Sequence, residues 1–151
     1  MARIAQFGIA VGALGVVLTF MGLFPGVTGV EPTSGIGPIQ IVTILTGFTL
    51  LIFGALIYVK FTFYLGNPAN LAQQIGVRLA LTGLIFAVLS GMADLLGFGS
   101  NPPGTTSEIY FGPWQAIGMV GGLFISSVGV LIYAITGNPR PNDDGERKSD
   151  E

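Results

Sequence analysis

Four stretches of the chain are almost continuously apolar, at residues 4–24, 39–59, 79–98 and 114–135, and polar or turn-forming residues collect between them. A bilayer core of about 30 Å needs about 20 apolar residues at 1.5 Å rise each, so every stretch is long enough to cross. The runs lack the two-residue alternation and the roughly ten-residue length of a membrane barrel strand, which predicts helices. Between them, 25–38 carries four glycines and 99–113 carries three prolines, both of which end a helix. The first run exceeds the usual signal-peptide core of about 7 to 15 residues and no A-x-A site follows it, so it is expected to stay in the protein.

Polar positions then set a direction. Arg3 precedes the first run, Lys60 and Arg78 lie between the second and third, and Arg140, Arg147 and Lys148 follow the fourth. All six cations fall on one side of a four-span path, whereas Glu31, Glu108 and Asp94 fall on or near the other. By the positive-inside rule both termini are expected in the cytoplasm of a multi-pass cell-membrane protein. Tyr58, Phe61, Phe63, Tyr64 and Tyr133 would form the inner aromatic belt, and Tyr110, Phe111 and Trp114 the outer one.

The halves of the chain resemble each other. Displaced by 75 positions, residues 3–58 align without a gap on 78–133, with 14 identities in 56 positions. Gly37, Pro38, Gln40, Gly47, Gly54, Leu56, Ile57 and Tyr58 match Gly112, Pro113, Gln115, Gly122, Gly129, Leu131, Ile132 and Tyr133. Each half has two crossings, so both insert the same way round. The expected fold is an all-α integral membrane protein: four transmembrane helices as two parallel-repeat hairpins about a pseudo-twofold axis along the membrane normal. This domain would occupy 1–137, with repeats at 3–58 and 78–133, and the charged segment 138–151 is expected to be a disordered cytoplasmic tail.

Small residues recur at steps of three and four, which places them on single helix faces. Gly8, Gly12, Gly15, Thr19 and Gly22 do so in the first run, Ala80, Gly83, Ala87 and Ser90 in the third, and Gly118, Gly122, Ser126 and Gly129 in the fourth. In lipid such stripes let backbones approach closely, so Gly8, Gly12, Gly15, Gly83, Gly118, Gly122 and Gly129 are expected to mediate helix packing, within the bundle or against a partner chain.

Composition narrows the chemistry. The chain is 50% hydrophobic and 9% charged, with a mean hydropathy of +0.73. It contains neither Cys nor His, which removes disulfides, thiolate and imidazole metal ligands and the commonest general base. No catalytic, cofactor or metal constellation stands out, and paired carboxylates within a span are missing, so no enzymatic activity is expected. The sequence pI of 4.9 reflects the tail acids, and nucleic acid is not an expected partner.

Asp94 is the one ionisable residue inside an apolar pattern, and it continues the Gly83, Ala87, Ser90 face. Counted from Arg78 it would lie about 24 Å from the inner boundary, in the outer third of the bilayer. Gln40 and Gln115, just after Gly-Pro helix starts, read as caps for free backbone amides or as polar ligands. The residues favour a non-enzymatic accessory subunit that packs with the lipid bilayer and with other membrane chains. The rival is a small transporter or channel with Asp94, Gln40 and Gln115 near an outer entrance.

Overall fold

The computed structural model describes residues 2–29, 36–98 and 111–137, and the predicted tail lies outside them. Its helices are α1 (Ala2–Leu23), α2 (Pro38–Phe63), α3 (Leu71–Gly91) and α4 (Pro113–Ile135), with a short 3-10 turn at Pro25–Thr28. All four are long and apolar enough to cross a membrane.

Helix ends follow from local chemistry. α2 and α4 each begin at a proline, whose missing N–H costs nothing in a first turn and whose fixed φ suits it. The preceding Gly37 and Gly112 adopt matching extended conformations, with φ, ψ of −76°, 159° and −84°, 159°. α3 begins differently. The Asn70 side chain accepts from the Gln73 backbone N–H at 2.8 Å, while the Gln73 side chain accepts from the Asn70 N–H at 3.2 Å. This reciprocal cap satisfies two amides that the first helical turn leaves open.

The third element therefore differs from the expected 79–98: it starts eight residues earlier and stops seven earlier. Gln73, Gln74 and Arg78 dilute the apolar pattern of its first two turns, yet the cap makes them helical. Its far end gives way to turns through 92–97, where Gly97 takes a left-handed φ of 82°.

The helices pack as two antiparallel pairs, α1 with α2 and α3 with α4. In each pair glycines bring backbone onto backbone. A Cβ added at Gly15 would sit 2.5 Å from the Gly47 carbonyl oxygen and the Leu51 nitrogen, and one at Gly54 would sit 2.5 Å from the Gly12 nitrogen. In the second pair, a Cβ at Gly83 would meet the Ser126 nitrogen at 2.6 Å, and one at Gly76 the Gly129 oxygen at 2.8 Å. Buried positions along α4 are Gln115, Met119, Gly122, Ser126, Gly129 and Tyr133, a strict alternation of four- and three-residue steps. That spacing keeps one narrow seam facing α3.

Among the described residues the helix-to-helix contact between the pairs comes mainly from α2 against α3 and α4, and it is much thinner than contact within them. It centres on Ile41 and Leu45 of α2, Ala87 of α3 and Met119 of α4. Gly91 belongs to the same junction, its Cβ position lying 3.1 Å from both Leu45 and Met119.

At the opposite end, the link between α2 and α3 closes over the last carbonyls of α4. Tyr64 donates its hydroxyl to the Ala134 carbonyl at 2.5 Å, the Asn70 amide donates to Thr136 O at 2.5 Å, and the Gln73 amide donates to Tyr133 O at 3.4 Å. A helix C-terminus leaves four carbonyls without intrahelical partners, and here side chains supply three of the missing donors. Tyr64 and Tyr133 meet edge to face with ring centroids 6.1 Å apart.

Candidate functional site

Asp94 lies in the turn after α3, not inside a spanning helix as its sequence position suggested. Because α3 runs from Leu71 to Gly91, its 21 residues extend about 32 Å, a length sufficient for a crossing, before Asp94 is reached. The half-buried carboxylate lines a cleft of about 310 Å³ formed with Pro38, Ile41, Gly91 and Met92. Its Oδ1 is buried and has no hydrogen-bond partner among the described residues. A carboxylate oxygen removed from water costs several kcal/mol unless a donor or a cation reaches it.

The two glutamines fare differently. Gln115 is buried, and its Oε1 accepts from the Gly112 N–H at 2.8 Å, which caps the first turn of α4. Its Nε2 has no partner among the described residues, and its backbone carbonyl accepts from the Ser90 hydroxyl at 3.3 Å. Gln40 is only half-buried and makes no side-chain bond to the N-cap of α2. Neither glutamine lines the Asp94 cleft, so the three residues do not converge on one site.

Four hydroxyls within the helices are satisfied locally. Thr19, Thr43, Thr49 and Ser127 each donate to the carbonyl four residues earlier at 2.7 to 2.9 Å, a pattern that suits surroundings without water. Ser126 differs from them: it is fully buried against Gly83 and its Oγ has no partner among the described residues. Replacing it with alanine removes an unsatisfied polar atom while leaving the backbone contact intact. Ser126→Ala is expected to leave the melting temperature in mild detergent unchanged or to raise it, by up to about 1 kcal/mol of stability. A clear drop would show that the hydroxyl has a partner that matters.

Sequence reasoning passed over the Asn70, Gln73 and Tyr64 cluster. The signal was present as Asn-x-x-Gln just before an apolar run, the sequence mark of a reciprocal cap. Among the described residues no group of three or more acidic, histidine or cysteine side chains could hold a metal.

No family model, curated protein or solved structure matched this chain.

Proposed function

We propose that this protein is a non-enzymatic multi-pass subunit of the cell membrane, with both termini cytoplasmic, that packs against other membrane chains. The observation that carries this reading is the thin contact between the two helix pairs. Each pair is welded by backbone-to-backbone glycine contacts, yet α1 leans essentially on α2 alone and exposes Phe7, Leu14, Val17 and Phe20. A bundle this open presents long apolar helix faces that lipid or further helices must cover. The glycine stripes read from the sequence are largely consumed within the pairs, so a partner would meet the bulky faces instead.

Duplication of an ancestral hairpin is part of the proposal, and the contacts favour a particular register for it. Gly47, Gly54 and Tyr58 of α2 hold the places that Gly122, Gly129 and Tyr133 hold in α4, a displacement of 75. For the first helix of each pair the displacement is 68: Gly8 meets Gly54 as Gly76 meets Gly129, and Gly15 meets Gly47 as Gly83 meets Gly122. The seven-residue difference matches the connections, 24–37 in the first pair and 92–112 in the second.

Purification from native membranes in mild detergent tests the subunit reading. Stoichiometric companion chains are expected, and recovery as a lone monomer would contradict it.

A second reading, a small transporter or channel, draws on the Asp94 oxygen beside its cleft, which has no hydrogen-bond partner among the described residues. On that reading Asp94→Asn lowers reconstituted proton or monovalent-cation flux at least tenfold, and unchanged flux removes its support.

A further inference from the structure

A second cleft, of about 410 Å³, opens at the other end of the molecule, between the last turn of α2 and the first two turns of α3. Its lining is mostly apolar, with Leu56, Ile57 and Phe61, and it includes Lys60, Arg78 and Gln74, whose amide donates to the Ala69 carbonyl at 3.2 Å. Lys60 and Arg78 are both exposed. Asp94, the only acidic side chain among the described residues, lies at the opposite end of the helices, so no described carboxylate neutralises this pair of cations.

Arg78 is the eighth residue of α3, which sets its Cα about 10 Å along the helix from Leu71. On the spanning reading a guanidinium at that position must reach back along the helix to the headgroup layer, with its stem lying on the apolar wall. Lys60 stands in the last turn of α2, facing the same cleft. An apolar slot lined also by two cations matches a molecule with an oily chain and a phosphate. Guanidinium and ammonium groups both favour phosphate oxygens, and Arg can engage two of them at once.

We infer that this cleft holds one anionic glycerophospholipid, its phosphate held between Lys60 and Arg78 and an acyl chain lying against Leu56, Ile57 and Phe61. The lipid would then seal the gap at this end between the two thinly joined helix pairs. The inference rests on the spanning reading and adds to it a defined ligand.

Native mass spectrometry of the full-length protein, released from vesicles containing equal amounts of phosphatidylglycerol and phosphatidylcholine with identical acyl chains, tests it. Retention of one phosphatidylglycerol in preference to phosphatidylcholine is expected, by about tenfold, given the worth of two basic groups at an anionic headgroup. The double variant Lys60→Gln, Arg78→Gln should lose that preference, and Arg3→Gln, a cation that does not line the cleft, should keep it. Equal retention of both lipids by the unaltered protein, or a preference that survives in the double variant, overturns the inference. So does a preference that emerges only after removal of residues 138–151, since the acidic tail would then be the occupant. Resistance of the same vesicles to alkaline extraction separates the two readings. Protein that stays in the vesicles but shows no lipid preference defeats the lipid site alone, and protein that is extracted defeats the spanning reading with it.

Discussion

Replacing Gly54 by leucine is expected to force α1 and α2 apart. A Cβ at Gly54 would lie 2.5 Å from the Gly12 nitrogen, 2.7 Å from the Gly12 Cα and 2.7 Å from the Gly8 oxygen, and all three are backbone atoms that no rotamer change can move aside. Overpacking a tight core typically costs 1–3 kcal/mol even where side chains can yield. Here the whole helix must shift, so about 3 kcal/mol or more is expected, and with it loss of the α1–α2 interface. Gly129→Leu should act alike in the second pair, where the added carbon would meet the Ala80 nitrogen and the Gly76 oxygen. Gly121 provides the contrast, since a Cβ there meets nothing within 4 Å. Gly121→Ala should be neutral, or slightly stabilising through helix propensity. Thermal unfolding in mild detergent reads all three. A Gly54→Leu protein as stable as Gly121→Ala would mean that the helix pair is not held by backbone contact.

Truncating Asn70 to alanine should have the next largest effect, because one side chain serves two helices. Its oxygen caps the Gln73 amide at the start of α3, and its amide reaches the Thr136 carbonyl beyond the end of α4. Loss of an N-cap costs about 1 kcal/mol, and stranding the second group adds a comparable amount, so about 2 kcal/mol is expected. Amide exchange at 71–74 should accelerate. Asn70→Asp keeps an acceptor for the Gln73 amide but gives up the donor to Thr136, so it should restore protection at 71–74 and only part of the stability. Unchanged exchange in Asn70→Ala would show that the cap does not hold this helix start.

How much of this was legible in the sequence differs from helix to helix. α1, α2 and α4 stand within a few residues of the positions expected from apolar run length, because Gly-Pro marks the starts of α2 and α4. α3 was misplaced for a physical reason. Run length responds to hydropathy, whereas the helix is set by a polar cap at Asn70 and Gln73, so the polar first turns were assigned to a loop and the apolar 92–98 to a helix. The displacement of Asp94 from a spanning segment to a turn follows from that single error.

The register proposed for the repeat was hidden for a related reason. Gly8 and Gly15 are seven residues apart, as are Gly76 and Gly83, so sliding the first helix by a heptad lays glycine on glycine again. Matching identities favours a uniform displacement of 75 because Arg3, Ala5 and Leu14 find counterparts there, but identity does not report which backbone touches which. The small-residue faces themselves were readable, since close approach admits little else at a crossing. The cleft beside Lys60 and Arg78 was not, because it needs these residues, eighteen positions apart, to be brought together by the turn of the chain between two helices.

On the proposed topology four helices cross the membrane and leave the cationic ends on the cytoplasmic side. The chain has no cysteine of its own, so single cysteines can be placed without altering a background. A membrane-impermeant maleimide applied to intact cells should label Ser34→Cys and Thr105→Cys and leave Ala69→Cys unmodified until the membrane is opened. Labelling of Ala69→Cys in intact cells, with Ser34→Cys and Thr105→Cys protected, would contradict the account.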